Sequence, residues 1–94
     1  MADRQEIAET LALGALGWLA DDADRAGAFL AETGTAPGQL AALASDPAFL
    51  GAVLDHVLAE DDRVLALAAH LGLPPERIAA ARAGLPGGDA PNWT

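Results

Sequence analysis

The amino-acid sequence predicts an all-α fold, a compact bundle of about five to six short helices, on the strength of three observations. Alanine, which has the best intrinsic helix propensity, supplies 24 of the 94 residues, whereas the β-branched and aromatic residues that strands favour are scarce. Acidic residues, prolines and glycines recur at the positions expected of helix starts and stops. Two segments 38 positions apart also read alike, which predicts a repeated helical hairpin.

Each repeated segment has the start and stop residues expected of two helices joined by a tight turn. An acidic residue and an arginine open the first helix, a glycine suits the left-handed residue that ends it, and a proline three positions later opens the next. The matching residues are Asp24-Arg25, Gly34 and Pro37 in one segment and Asp62-Arg63, Gly72 and Pro75 in the other.

The first predicted helix covers about residues 3–20. Its apolar side is expected to carry Ile7, Leu11, Ala15 and Trp18, which recur at helical spacing. Leu13 points to the polar side instead. It is interpreted either as a contact with a partner or as an ordinary exposed leucine.

Two shorter helices follow. The second is expected over about residues 23–33, with Asp21 or Asp22 as its cap and Gly34 as its stop. Thr35 is expected to cap a third helix over about residues 36–44, with Pro37 in its first turn.

The pair Asp46-Pro47 is the strongest helix start in the chain, a capping acid followed by proline at the first helical position. The helix it opens extends to about residue 59. Large apolar residues cover one half of its surface, and the other half is made small by Ala48, Gly51, Ala52 and Ala59. A helix of this kind can be packed from two sides, so it is expected to be the central element of the fold.

The last two predicted helices cover about residues 62–71 and 75–83. Asp61 or Asp62 is expected to cap the first of them, because continuing the preceding helix would place Asp61 in its apolar stripe. Residues 1–85 are therefore interpreted as a single helical domain. The Gly/Pro-rich residues 86–94 are expected to form a flexible C-terminal tail, in which Trp93 either docks on the domain or stays in solvent.

The charge balance excludes some classes of partner. Fourteen acids against five arginines and no lysine give a formal charge of −9, which disfavours nucleic acid and anionic membranes. The absence of cysteine removes disulfides and thiolate metal sites, and no segment reads as a signal peptide or a membrane span. A cytoplasmic location is expected.

Several short motifs together resemble a known family. They are Leu13-x-x-Leu16-x-Trp18-Leu19-Ala20, Phe29-Leu30-x-x-Thr33-Gly34, Asp46-Pro47-Ala48-Phe49-Leu50 and Ala81-Arg82-x-x-Leu85-Pro86-Gly87. With them the chain looks like a small bacterial family catalogued as domain of unknown function 3572, over most of residues 7–87. The resemblance implies a compact helical fold. It brings no activity, cofactor or catalytic residue with it.

Little in the sequence supports catalysis. Nucleophilic chemistry needs a hydroxyl, thiol or amine beside a base, and the chain has one serine, four threonines, no cysteine and no lysine. His56 and Glu60 stand four apart on one helix, a spacing at which two side chains can meet one metal ion, but two ligands do not make a site. We therefore expect no enzyme and no cofactor, and the metal site remains a minor hypothesis.

The function expected from these observations is protein interaction, either self-association or docking to an unidentified partner. Leu13 and Trp93 are the candidate interaction residues, because both are large apolar groups without an evident place in the core. The alternative is a helical bundle that binds a small apolar ligand, since alanine-rich walls can leave space between helices.

Overall fold

The computed structural model describes residues 3–87, and every regular element in that range is a helix. This confirms the predicted all-α class. In chain order the elements are α1 (Arg4–Ala20), α2 (Ala23–Thr33), a 3-10 helix (Pro37–Gln39), α3 (Leu40–Leu43), α4 (Pro47–Leu58), α5 (Asp61–Leu71) and α6 (Glu76–Ala83).

Three aspartates cap helices, and two of them, Asp22 and Asp46, do so as predicted. Asp3 forms a capping box with Glu6, in which each carboxylate accepts a hydrogen bond from the other residue's backbone N–H. Asp22 accepts from two backbone N–H groups at the start of α2, and Asp46 accepts from the Ala48 N–H at the start of α4. The acidic residues at these helix starts are thus engaged with backbone.

Two predicted caps were wrong. Thr35 does not cap the third helix, because its hydroxyl pairs with that of Thr33, and the Gln39 side chain instead accepts the Ala36 N–H at 2.9 Å. The third segment is accordingly a 3-10 turn followed by the four-residue α3. Asp61 is the first residue of α5, whose N-cap position is Glu60 with no side-chain capping bond.

Helix α4 lies at the centre of the fold, in contact with α1, α2, α5 and α6. Val53, Leu54 and Val57 on its bulky side are fully buried. On its small side Gly51 is also buried, whereas Ala48 and Ala59 are exposed. The helix is therefore packed from two sides over the middle of its length, as its pattern predicted.

An arginine explains why the small side of α4 needs a glycine. A Cβ atom built on Gly51 would lie 2.9 Å from Nη1 of Arg82, which crosses α4 at this point. The Arg82 guanidinium donates to both carboxylate oxygens of Asp55, at 2.6 and 3.2 Å, and Nη1 donates to the Pro86 carbonyl at 3.0 Å. This bidentate pair ties the end of α6 to the middle of α4.

The core collects apolar side chains from α1, α2, α4, α5 and α6. Its fully buried large members are Leu19, Phe29, Leu50, Val53, Leu54, Val57, Leu67 and Ile78. Ile7 was predicted to join this core and does not, because 49 % of its surface is exposed. It lies in the first turn of α1, where the connection from α5 to α6 does not cover it and an open groove lies beside it.

None of the helices in residues 3–87 is both long and apolar enough to span a bilayer.

Candidate interaction surface

An open apolar groove runs between the N-terminal half of α1 and the connection from α5 to α6. Its main depression has a volume of about 360 Å³. The residues that line this depression are Ile7, Thr10, Leu11, Leu71, Leu73 and Arg77. Most of the lining is apolar, and one side faces solvent.

A helix-ending motif places one wall of the groove. Gly72 adopts the left-handed conformation at φ 70°, its N–H bonds to the Ala69 carbonyl, and the Leu73 N–H bonds back to the Ala68 carbonyl at 2.9 Å. These two bonds make a Schellman motif, which commonly brings the residue after the glycine back against the helix. Leu73 thereby stands beside Leu71 at the rim of the groove.

A glycine allows α1 to approach that wall closely. A Cβ atom on Gly14 would lie 3.2 Å from Cδ2 of Leu71, tighter than an ordinary van der Waals contact. Because Gly14 has no side chain, the end of α5 lies directly against α1, and the groove opens towards Ile7.

A second, smaller depression of about 150 Å³ continues the groove along α6. It shares Ile7, Leu11 and Arg77 with the first and adds Arg4 at the start of α1. Alanines of α1 and α6 form the rest of its lining. We call the two depressions together the α1/α6 groove.

The charges of the α1/α6 groove differ from those of the rest of the protein. Although the chain carries fourteen acids, no Asp or Glu is among the lining residues, and two of the five arginines are. Within residues 3–87 Arg25, Arg63 and Arg82 each form an ion pair, while Arg4 and Arg77 form none. Two acids lie close to Arg4 in sequence, and both are engaged elsewhere. Asp3 and Glu6 bind each other's backbone N–H groups in the capping box.

Of the two interaction residues predicted from sequence, Leu13 lies on α1 but is not among the residues that line the groove. Leu13 is 46 % exposed on α1. Ile7, Thr10 and Leu13 follow one another at intervals of three residues, so they form a row that slants around the helix. Trp93 lies outside the described residues.

The groove itself was missed by sequence reasoning. Ile7 was expected to face the core, and no sequence pattern brought α1 and α6 together. The one available signal was the Gly72-Leu73 pair, since an apolar residue after a helix-ending glycine is typical of a Schellman motif. Leu65 of α5 is a further exposed apolar residue at 57 %, outside the groove lining.

The two residues of the metal hypothesis each have another partner. His56 is 1 % exposed, its Nδ1 lies 2.9 Å from a carboxylate oxygen of Glu32, and its ring packs edge-on against Phe29. Glu60 pairs with Arg63 at 3.2 Å. In the described part of the chain no three His, Cys, Asp or Glu residues lie close enough to hold a metal ion.

Comparison with known proteins gives one match. A family model with the description "Protein of unknown function (DUF3572)" matches residues 5–88. Neither a curated protein nor a solved structure matches the chain.

Proposed function

The chain belongs to the DUF3572 family, whose description assigns no activity, and we propose from the geometry that it is a non-enzymatic protein-interaction domain. In this proposal a helical segment of a partner protein lies in the α1/α6 groove. The observation that carries it is an apolar groove that is open to solvent and edged by half-exposed Ile7.

The exposed apolar side chains support a protein partner. Isolated exposed leucines are ordinary, but an apolar depression edged by a half-exposed large residue such as Ile7 is typical of interaction sites. Leu13 lies six residues beyond Ile7, about 9 Å along α1 and about 120° around it, and adds a second exposed apolar residue outside the groove. A partner helix of two to three turns has a length suited to the groove and its edge at Ile7.

The chemistry of the lining supports a binding role over catalysis. Thr10 supplies the one hydroxyl group among the lining residues, and no His, Asp, Glu, Cys or Lys accompanies it. A hydroxyl without a neighbouring base is a poor nucleophile. On these grounds we propose that the groove binds a partner and catalyses no reaction on it. The location proposed for this role is the cytoplasm.

A small apolar ligand is the second candidate, because the main depression has a volume within the range of small-molecule pockets. The open side argues against it. Ligand pockets usually bury most of the ligand surface, whereas a molecule in this groove would stay in contact with water along one side.

The test is a selection of helical peptides from a displayed library, using the full chain as bait. Affinities of the selected peptides are then measured by fluorescence anisotropy for the wild type, for Ile7→Glu and for the matched control Leu65→Glu. Both substituted residues are about half exposed, so circular dichroism is expected to show the same helical content in all three proteins.

We expect Ile7→Glu to weaken binding by about tenfold or more, because it buries a charge in an apolar contact, while Leu65→Glu has little effect. A library that yields no binder, or binders indifferent to Ile7→Glu, would show that the α1/α6 groove is not the site. Displacement of the peptides by a medium-chain fatty alcohol at low concentration would favour the small-ligand candidate. Sedimentation over a range of concentrations reports whether a second copy of the chain is itself a partner.

A further inference from the structure

We infer that the partner segment is an acidic amphipathic helix, whose apolar face fills the α1/α6 groove and whose carboxylates reach Arg4 and Arg77. The inference rests on the proposed function and adds the chemistry of the partner.

The distribution of arginines carries the inference. In a chain of net charge −9, acids are abundant enough to pair with every arginine, and three arginines in residues 3–87 are paired. The other two, Arg4 and Arg77, both line the same depression. The unmatched positive charge of the described surface is therefore concentrated at one apolar groove.

The arginines are held at the groove by the backbone on which they lie. Arg4 is the first residue of α1, and Arg77 is the second residue of α6. Both belong to helices that pack on each other, since a Cβ atom on Gly84 would lie 3.1 Å from Cβ of Ala8. The two arginines thus extend from backbone that is fixed by helix packing, and their flexible side chains remain exposed at the same depression.

This arrangement favours a carboxylate-bearing helix over a basic one. A helix that presents apolar anchors at spacings of three and four residues carries its charged residues along both edges of that face. In the groove those edges meet arginines and no acid among the lining residues, so Asp or Glu at the edges forms ion pairs, whereas Lys or Arg is repelled.

The overall charge of the protein opposes an acidic partner at long range. At physiological ionic strength the Debye length is about 8 Å, so acids farther away are largely screened while contacts in the groove are not. The preference for carboxylates is therefore a property of contact, and it is measured as equilibrium affinity at physiological salt.

The experiment compares versions of one selected peptide that share the same apolar face. In one version the edge positions are Glu, in the second Gln and in the third Lys. Each is titrated against the full-length wild type, the double variant Arg4→Gln/Arg77→Gln and the control Ala66→Glu/Ala69→Glu. The control lowers the net charge by the same two units on the exposed side of α5.

We expect the Glu peptide to bind the wild type about tenfold more tightly than the Lys peptide, with the Gln peptide between them. The double arginine variant is expected to lose most of this preference, and the α5 control to keep it. A Lys peptide that binds equally well or better overturns the inference, and so does a preference that survives removal of both arginines. In either case dependence on Ile7 still supports the proposed function, whereas loss of that dependence overturns both.

Discussion

The two halves of the domain, α1 to α3 and α4 to α6, use the same connection at their first corner. In the first half Arg25 Nε donates to the carbonyl of Trp18 at 3.0 Å, and in the second Arg63 Nη1 donates to the carbonyl of His56 at 2.8 Å. Each arginine reaches back seven residues, to the last turn of the preceding helix. The equivalence predicted for the hairpins therefore extends upstream into α1 and α4.

Burial follows the same frame of 38 residues. The pairs of equivalent positions at which both side chains are buried are Ala12 and Leu50, Ala15 and Val53, Leu16 and Leu54, Trp18 and His56, Leu19 and Val57, and Phe29 and Leu67. At the first two pairs the α1 residue is alanine and the α4 residue is large. Small residues on one helix and bulky ones on the other allow α1 and α4 to lie in direct contact.

The halves differ after the hairpin glycine, and the difference determines where the groove forms. Gly34 ends α2 with a single bond from its N–H to the Leu30 carbonyl, and polar Thr35 follows it. Gly72 ends α5 with the two bonds of a Schellman motif, and apolar Leu73 follows. The first half ends with the short α3, which has no buried residue. The second half ends with α6, which contributes to the core, and its connection from α5 forms a wall of the α1/α6 groove.

The largest effect expected from this difference is on stability, at the equivalent positions Ile78 and Leu40. Ile78 of α6 is 0 % exposed, while Leu40 of α3 is only partly buried. Ile78→Ala is expected to lower the free energy of unfolding by about 3 kcal/mol, because it removes methylene contacts and leaves a cavity. Leu40→Ala is expected to cost about 1 kcal/mol, and urea denaturation measures both.

Equal losses at the two positions would contradict the view that α6 belongs to the core and α3 does not. Ile78→Val serves as a control that keeps the site filled, with an expected cost of about 1 kcal/mol.

A smaller effect is expected where the halves place different polar residues at one position. Glu32 of α2 accepts a hydrogen bond from Nδ1 of the buried His56 ring, whereas its counterpart His70 of α5 is exposed. Glu32→Ala leaves Nδ1 of His56 without that partner and is expected to cost about 1 to 2 kcal/mol at neutral pH. His70→Ala is expected to change stability by less than about 0.5 kcal/mol.

Thermal and urea unfolding of the two alanine variants, together with Glu32→Gln, provide the measurement. The glutamine keeps an oxygen acceptor at the same place, so it is expected to recover most of the loss. If Glu32→Ala and His70→Ala proved equally harmless, the contact with His56 would have no part in stability.

How much of this could be read from the sequence depends on the range of the interaction. The positions of Gly34, Gly72 and the capping aspartates were predicted, because turns and caps are set by residues a few positions apart. The partner of Arg82 was not, since Asp55 lies 27 residues away and no local spacing joins them. The groove was missed for the same reason. The groove exists because α1 and α6 pack against each other in the fold. The helical pattern shows that Ile7 is apolar, but it does not show that α6 leaves Ile7 uncovered.

The smallest expected effect is a pH dependence at Asp22, the N-cap of α2, whose equivalent at the start of α5 is Glu60. Asp22 accepts hydrogen bonds from the N–H groups of Arg25 and Asp24, whereas Glu60 makes no side-chain bond to the start of α5. The bond from the Arg25 N–H is the main cause that holds the pKa of the Asp22 carboxyl below its ordinary value, and desolvation opposes it while the Asp24 N–H and the charge of Arg25 add to it. Because the pKa is lower in the folded state, the charged carboxylate stabilises the fold at any pH above its unfolded value. That contribution is lost as the pH falls through the lowered value.

Asp22→Asn keeps an acceptor without the charge, so the wild type is expected to be the more stable protein near neutral pH and to lose this advantage in acid. Urea denaturation of both proteins from neutral pH down to about pH 2 measures the difference, and an advantage that stayed constant over that range would rule out the charged cap as its source.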